Sequence, residues 1–554
     1  MLLERRSLYL LRRGRRGIAE LFCTPDQTTT ICLRLSKPLS RRDLSPITPR
    51  ANNQQRFYSI ASLEKLRELP ATIDSILSRA AKEELREEDK IIVHGWIRTV
   101  RKQKSIAFAQ VSDGSCSESL QLVFLDPNAA SKLGTGMSIK VTGTLQVAPN
   151  RPSNPYEVIV SELEVLGGLP ENDAFPLQKK YMTPEYLRRD HPAQRFRTSA
   201  LATAMRFRSR SVAALSDYFN SHEFVQTHPP LITSSDCEGA GEVFTIVSES
   251  SKTPFFGQGA YLTVSTQLHL EAMMMGLARV WTLTPAFRAE ESMTSRHLSE
   301  FWMLESETAF ANDLEDIMSL VESLIRHTVT KLAEEGEMKR IMDLKTLVNR
   351  HATQEKVEEG EFEEIITPEQ ISERWSSLIG SEKPWMRINY ADAVKVLQDA
   401  EVKNIVKFQH PVKDGESLKS EHEKWLAKHH ANGPVFVMRY PASMKPFYML
   451  PSPASESTSS AYATVECFDL LVPEIGELVG GSLREHRLDV LQDAIFKSGL
   501  DASALEWYVQ LRKWGSVPHG GFGMGFERFL CYLGGVYNIR EVIAFPRWIN
   551  HCAC

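Results

Sequence analysis

The sequence predicts an α+β protein in which a small antiparallel β-barrel precedes a larger antiparallel sheet packed with helices. Five short β-prone runs, broken by glycines, follow one another between Ile91 and Leu166, the spacing expected of a small barrel. After about residue 198, β-prone and helical runs mix without a regular βαβ rhythm, which favours an antiparallel sheet. The 554 residues, 42% of them hydrophobic, allow two or three domains with their own cores.

Residues 1–58 form a basic leader. They contain eleven Arg and one Lys against four acidic residues, a net charge of +8 in a chain whose total is −5. Arg-rich, acid-poor and able to form an amphipathic helix, the leader predicts a mitochondrial transit peptide and a matrix protein. Arg56 to Ser59 resembles a matrix-protease cleavage site. The alternative is a disordered basic arm that contacts RNA. Residues 59–90 are predicted as a helical extension.

Membrane proteins and zinc-knuckle proteins are excluded. No apolar stretch approaches the roughly 20 residues of a membrane-spanning helix, and the mean hydropathy is −0.26. The eight cysteines are scattered without paired Cys-x-x-Cys spacing, so reduced thiols are expected.

Residues 91–166 predict a barrel of the OB type, a fold that often binds single-stranded nucleic acid. Trp96 and Phe108 stand beside a basic cluster that could bind phosphates, namely Arg98, Arg101, Lys102 and Lys104. The alternative, favoured for Trp96, is that the aromatic residues belong to the barrel core.

A Pro-rich and charged stretch, 167–197, is predicted as a hinge, and 198–554 as the larger domain. That domain should begin with a helix from Thr198 to Ser221 and a strand from Phe224 to Thr233. The acidic stretch at about 331–385 is expected to be a solvated insertion without chemistry.

No Gly-x-x-x-x-Gly-Lys-Ser/Thr loop is present, and Gly521 to Gly525 lacks dinucleotide-binding spacing. Three segments instead resemble the motifs of class II aminoacyl-tRNA synthetases. FNSHEFVQTHPPLI, with Pro229, is similar to motif 1, a helix and strand at the dimer interface. FRAE followed by RHLSEF is similar to motif 2, and HGGFGMGFERFL to motif 3.

The resemblance in motif 2 implies an ATP site. Arg288 would bind the α-phosphate, because a planar fork of donors suits a phosphoryl group. Glu290 would lie near the nucleotide and the tRNA end, Arg296 and His297 would contact the γ-phosphate, and Phe301 would lie under the adenine. The alternative is a surface ion pair between Arg288 and Glu290, with Phe301 in the core.

Motif 3 implies that Gly525 lets the backbone approach ATP and that Arg528 stacks on the other face of the adenine and contacts the γ-phosphate. A glycine-rich turn before a core helix is the alternative. Asp469 and Glu477 are expected on adjoining strands as ligands of Mg²⁺, which prefers carboxylate oxygens. Related aspartyl enzymes have a Ser three residues after this Glu. Gly480 stands here, which leaves that metal contact open.

The resemblance spans about 91–547 and belongs to the class IIb group of aspartyl, asparaginyl and lysyl enzymes. Longer segments, among them DCEGAGEVF, STQLHLEAM and GELVGGSLREHR, are similar to the asparaginyl branch. It implies a homodimer that activates L-asparagine with ATP and Mg²⁺ and charges tRNA(Asn), with Phe108 and Gln121 binding the anticodon. Alternatives are an aspartyl enzyme on the same scaffold and a catalytically silent RNA-binding relative.

The same resemblance implies an amino-acid pocket. Glu238 and Gln267 would bind the α-ammonium group, and Arg484 would donate to the side-chain oxygen that asparagine and aspartate share. Glu271 would accept from the amide and repel a substrate carboxylate. The alternative for Glu271 is a solvated helix residue or a structural partner of Arg484.

Overall fold

The structure, a computed structural model, describes a large part of the chain. The described residues are 69–148, 154–171, 173–177, 183–234, 243–248, 253–292, 294–338, 340–341, 366–380, 383–453 and 462–554. The leader and Glu238 lie outside them. Within them, no helix is long and apolar enough to cross a membrane.

A closed five-stranded barrel forms the N-terminal domain, as the sequence predicts. The strand order is β1-β2-β3-β5-β4, antiparallel except for the β3–β5 pair. Alternate residues point inward, so Ala107, Ala109 and Val111 are buried while Phe108 and Gln110 face outward. The strands are β1 Lys90–Lys102, β2 Ala107–Ser112, β3 Leu120–Phe124, β4 Ser138–Val147 and β5 Tyr156–Gly167.

Helix α1 (Ile73–Ala81) packs on this barrel and lies within the predicted helical extension. Thr72 caps its first turn by accepting from the Ser75 amide. Ile73, Ile76 and Ala80 recur at helical spacing and join the barrel core. The extension therefore belongs to the barrel's hydrophobic core.

An eight-stranded sheet forms the centre of the larger domain, in the order β11-β12-β13-β14-β15-β10-β9-β6. Its central pairs are antiparallel, as predicted, but the edge pairs β11–β12 and β6–β9 are parallel. The strands are β6 Val225–Gln226, β9 Arg279–Phe287, β10 Glu300–Ala309, β11 Met386–Asn389, β12 Val435–Met438, β13 Cys467–Val472, β14 Gly476–Leu483 and β15 His519–Gly525. A separate pair comprises β7 Ile232–Thr233 and β8 Tyr261–Leu262.

Helices pack against this sheet around one large core and smaller hydrophobic clusters beside it. They are α2 Pro184–Arg189, α3 Ser199–Ser221, α4 Gln267–Leu277, α5 Leu314–Glu334, α6 Pro368–Gly380, α7 Tyr390–Val402, α8 Ser420–Trp425, α9 Leu488–Ser498, α10 Glu506–Gln510 and α11 Phe526–Gly534. The expected helix from Thr198 to Ser221 is α3, with Thr198 as its N-cap.

The described part of the acidic stretch 331–385 does not behave as a solvated insertion. In α6, Ile371, Trp375 and Leu378 are fully buried in the main core, and the Trp375 indole donates to the Leu533 carbonyl at 2.9 Å. The stretch is acidic on average, but it contains a helix whose apolar residues recur at helical spacing. The apolar face that these residues form packs into the core and so determines where the helix lies.

Two arginines connect the barrel with the larger domain. Arg197 donates to the Gly136 carbonyl at 2.6 Å and stacks over Trp96 at 5.4 Å, and Arg206 donates to the Gly114 carbonyl. Trp96 is 43% exposed, so its favoured assignment to the barrel core was wrong. It lies on the outer barrel surface against Arg197.

Candidate active site

A cavity of about 200 Å³, here called the inner cavity, opens between β10, β13, β14 and β15. Five predicted site residues line it together, namely Gln267, Arg288, Asp469, Glu477 and Arg484. They come from helix α4 and from three strands or their ends, β9, β13 and β14, although up to 217 positions separate them in the chain. The structure thus brings one predicted phosphate ligand, both predicted metal ligands and two predicted amino-acid ligands to one place.

One face of β10 forms a wall of the inner cavity. Met303, Glu305 and Glu307 alternate along the strand and all line the cavity. Each lies opposite a glycine of β15, and Gly521 is paired with Glu307. A Cβ at Gly521 would lie 2.4 Å from the Glu307 carboxyl carbon, so this glycine makes room for the carboxylate.

Arg484 and Glu307 form a buried ion pair in this wall. The Arg484 guanidinium donates to Glu307 Oε1 from Nε at 3.0 Å and also from Nη2. Oε2 of Glu307 is buried and has no hydrogen-bond partner among the described residues. Burial raises the pKa of Glu307 to about 7, against the opposing charge of Arg484 and with a further contribution from Glu271. This carboxylate was not among the predicted site residues.

Glu271 lies behind the cavity wall, contrary to its expected position inside the pocket. It is fully buried on α4 and is absent from the inner-cavity lining. Its Oε2 accepts from Tyr508 at 2.8 Å, Arg512 at 2.6 Å and His519 at 3.1 Å. Burial opposes its ionisation, but Arg512 and His519 outweigh burial and hold its pKa well below the usual range.

The alternative roles for Glu271 also need correction. With no exposed surface, Glu271 is not a solvated helix residue. Its hydrogen-bonded arginine is Arg512, whereas Arg484 acts on it only through its charge. The local sequence of α4 could not reveal these partners of Glu271, because they lie 237 or more positions away in the chain.

Glu305 fixes the start of α4. Its carboxylate accepts from the Thr266 amide at 3.0 Å and from the Ser265 and Thr266 hydroxyls. Gln267, the next residue, lines the cavity and donates to Glu271 Oε1 at 3.0 Å. The buried carboxylate therefore positions Gln267, one of the predicted amino-acid ligands.

A second cavity of about 410 Å³, the outer cavity, shares Glu477 with the inner cavity. Arg296, His297 and Arg528 line it, as expected for groups that contact one end of a triphosphate. Arg528 Nη1 donates to the Glu477 carbonyl at 3.2 Å, and Arg296 Nη2 donates to the Glu474 carbonyl at 3.1 Å. The two cavities thus adjoin at Glu477.

Glu290 lies between two of the predicted phosphate ligands, Arg288 and His297. Its carboxylate is 4.0 Å from Arg288 Nη1 and 3.4 Å from His297 Nε2. The Arg288 guanidinium also lies 5.6 Å from the Phe301 ring centre, and Phe301 is only partly buried at the edge of the main core. Gly525, the N-cap of α11, lies directly against the Arg528 side chain.

Asp469 and Glu477 lie on the adjoining strands β13 and β14, as predicted. A Cβ at Gly480 would lie 3.4 Å from Glu477 Oε1 and 3.7 Å from Asp469 Oδ1, so both carboxylates border the same space. Oxygen donors of this kind fit Mg²⁺. Lys445 donates to both Asp469 oxygens at 3.0 and 2.8 Å. No group of three or more metal-binding side chains converges anywhere in the described ranges.

Phe108 and Gln121 lie on the outer face of the barrel. Phe108 is half-buried and is not a member of the barrel core. Gln110 pairs with Gln121 across β2 and β3 and donates to it at 3.0 Å, which makes Phe108 and Gln121 diagonal neighbours. Gln121 in turn donates to Glu157 at 2.8 Å.

Sequence reasoning missed Glu305, Glu307 and Lys445 in the inner cavity. The two glutamates carried a signal, because acidic residues two apart on a strand face the same side. Lys445 carried none, since it lies in a loop 24 residues before Asp469.

The family model for tRNA synthetases class II (D, K and N) matches residues 184–549, and the model for the OB-fold nucleic acid binding domain matches 91–166. Asparagine--tRNA ligase, mitochondrial, of Schizosaccharomyces pombe is 40% identical over 496 residues, 87% of this chain and 98% of that protein. Asparaginyl-tRNA synthetase of Homo sapiens is 40% identical over 473 residues, covering 84% and 91%. Among solved structures, asparaginyl-tRNA synthetase from Pyrococcus horikoshii complexed with asparaginyl-adenylate matches with a TM-score of 0.71 and 29% identity, over 87% of this chain and 99% of that one.

Proposed function

The chain belongs to the class II tRNA synthetases of the D, K and N group, and from this premise we propose that it is an asparagine–tRNA ligase. The observation that carries the proposal is the inner cavity, where Arg288 lies with both carboxylates of the expected metal site and with Arg484. Amino-acid activation requires a phosphate ligand, a metal site and an amino-acid ligand in one cavity.

The first half-reaction joins asparagine to AMP. An oxygen of the asparagine α-carboxylate attacks the α-phosphorus of ATP, the bond to the bridging oxygen of the β-phosphate breaks, and pyrophosphate leaves. Arg288 holds the α-phosphate and neutralises charge that develops during in-line attack. Arg528 and Arg296, at the outer cavity, bind the other end of the nucleotide. No enzyme nucleophile is needed, because positioning supplies much of the rate gain.

The proposed Mg²⁺ would be held by Glu477 and Asp469 together with ATP oxygens. When bound, it supplies charge neutralisation on the triphosphate. The two protein carboxylates alone make a sparse site, which agrees with a metal that arrives bound to the nucleotide. In the second half-reaction, a hydroxyl of the terminal adenosine of the tRNA attacks the asparaginyl carbonyl carbon, and AMP leaves.

Selection of asparagine over aspartate is assigned to Arg484 and Glu307. Arg484 donates to the side-chain oxygen that both amino acids possess. The unpartnered Oε2 of Glu307 accepts an N–H of the asparagine amide, which aspartate lacks, and its charge repels a substrate carboxylate. Glu271 lies behind the cavity wall, where it accepts a hydrogen bond from Gln267 and pairs with Arg512 and His519. Its proposed role is to orient Gln267. Glu238, outside the described residues, is kept as the proposed ligand of the α-ammonium group with Gln267.

The outer barrel face with Phe108 and Gln121 is proposed to bind the anticodon of tRNA(Asn), because a half-buried aromatic ring can stack on an unpaired base.

We propose a homodimer on the motif 1 resemblance. Mitochondrial relatives at 40% identity and the basic leader support import into the mitochondrial matrix.

The test is ATP–pyrophosphate exchange measured with each of the twenty amino acids, followed by charging of tRNA(Asn). Asparagine alone should support exchange. Exchange with aspartate instead would favour the aspartyl alternative, and exchange with no amino acid would favour a silent RNA-binding protein.

A further inference from the structure

Lys445 is a partly buried cation that the activation step described above does not use. Its ammonium donates to both oxygens of Asp469 at 3.0 and 2.8 Å, and it lies 4.1 Å from the centre of the Tyr440 ring. The side chains of Lys445 and Asp469 are only 16% and 17% exposed. An ion pair that is joined by two charge-assisted hydrogen bonds and is so little exposed to water is firmly oriented.

The backbone around Lys445 is fixed to the amino-acid end of the inner cavity. Lys445, Tyr448 and Met449 all line that cavity. The Glu485 amide donates to the Tyr448 carbonyl at 2.8 Å, and Met449 forms a β-bridge with Arg484. The lysine therefore lies on a wall segment that runs from the proposed metal carboxylates to the proposed amide-binding arginine.

This position has an electrostatic consequence for the metal. A magnesium ion lies about 2.0 to 2.1 Å from a carboxylate oxygen, so an ion on Asp469 would lie within about 5 Å of the ammonium and be repelled by it. Glu477, the other carboxylate that borders the same space, has a side chain that is 46% exposed and lies 3.9 Å from Arg528. Asp469 is thus already neutralised by a cation of the protein.

We propose that Lys445 is a positioning residue of the activation step, a built-in cation that holds Asp469 and competes with divalent metal for it. The nucleotide-free enzyme then binds divalent metal weakly, and the metal enters with ATP. By offsetting the charge of Asp469, the ammonium also keeps an uncompensated negative charge out of a cavity in which two anions, the asparagine carboxylate and the α-phosphate, must meet. The proposal rests on the proposed function, since those anions are its substrates.

Binding of Mn²⁺ to the nucleotide-free full-length chain, measured by electron paramagnetic resonance, separates this role from a structural one. Lys445→Met should bind Mn²⁺ at least about tenfold more tightly than the wild type, because the competing charge is gone. Lys445→Arg keeps the charge and should stay within about threefold of the wild type. The double variant Lys445→Met/Asp469→Asn should lose the gain, which assigns the metal to Asp469.

Asparagine-dependent pyrophosphate exchange gives the second readout. In Lys445→Met, kcat should fall by at least about tenfold, with the KM for asparagine changed less. Unchanged Mn²⁺ affinity in a variant with a normal melting curve overturns the proposal. If Lys445→Met does not fold, Lys445→Gln takes its place, with the same expected gain. Wild-type enzyme without asparagine-dependent exchange would overturn the proposed function, while the Mn²⁺ measurements would still decide the role of Lys445.

Discussion

Replacing Glu307 by glutamine should weaken the selection of asparagine over aspartate. The substitution keeps the size of a side chain that is 1% exposed and leaves an oxygen that can accept from Arg484. It removes the negative charge, and it can turn the unpartnered acceptor Oε2 into an amide donor. Both changes act on the atom that is proposed to face the substrate amide.

The expected loss of selectivity has two parts, a weaker activation of asparagine and a weaker repulsion of aspartate. A hydrogen bond to a charged group contributes about 1.5 to 3 kcal/mol, so asparagine activation should fall by roughly ten- to a hundredfold. Repulsion of an aspartate carboxylate about 4 Å away, at an effective dielectric constant near 20, is at most about 4 kcal/mol. Since the pKa of Glu307 is about 7, only part of this charge is present at neutral pH. The ratio of asparagine to aspartate activation should therefore fall by at least about tenfold.

The assay is kcat/KM for pyrophosphate exchange with asparagine and with aspartate, at several pH values. Discrimination should rise between about pH 6 and pH 8 in the wild type, as Glu307 loses its proton, and stay flat in Glu307→Gln. Glu322→Gln is a matched control, because Glu322 is a buried acid that pairs with Arg326 and Arg387 and lines neither cavity. An unchanged ratio in Glu307→Gln, combined with an inactive Arg484→Ala, would refute the reasoning.

Four further outcomes are expected. Glu271→Gln should lower the free energy of unfolding by about 3 to 5 kcal/mol, because it leaves the buried Arg512 charge unpaired. This loss, measured by denaturant unfolding, should be present above pH 4.5 and shrink as pH falls towards the depressed folded-state pKa of Glu271, and a loss that persists at low pH would contradict the charge argument. Phe108→Ala should reduce tRNA charging by roughly ten- to a hundredfold and leave pyrophosphate exchange alone, since stacking contributes about 1 to 3 kcal/mol per base. Equal loss in both assays would mean a structural role. Arg288→Ala and Arg528→Ala should each reduce exchange by a hundredfold or more, about 3 kcal/mol, with unchanged melting curves, and near-normal exchange would remove either assignment. Deleting residues 1–58 should keep an active enzyme out of mitochondria in a fractionation experiment, and unimpaired import would exclude the leader as the signal.

Local patterns in the sequence were enough to predict the fold class, and they nominated residues that the structure places around the two cavities. The short β-prone runs between Ile91 and Leu166, broken by glycines, predicted five barrel strands, and the strands form in that stretch of the chain. The stretches around Arg288 and Arg528 are recognisable because the proposed phosphate-binding residues stand at short, fixed spacings on one strand pair and one strand–helix turn. Asp469 and Glu477 were placed on adjoining strands for the same reason.

The pairing of charges in the core was decided only by the tertiary structure. Glu271 and Glu307 are both acids near predicted strands or helices, and nothing local distinguishes them. Glu271 is enclosed because Tyr508, Arg512 and His519, more than 230 positions away, converge on it, whereas Glu307 keeps one oxygen without a partner among the described residues. A carboxylate's role depends on which donors the fold brings within about 3 Å, and long-range contacts of this kind leave no periodic trace in the sequence. The ion pair between Lys445 and Asp469 is likewise not visible in the sequence, because it forms only when the wall segment packs against β13 and β14.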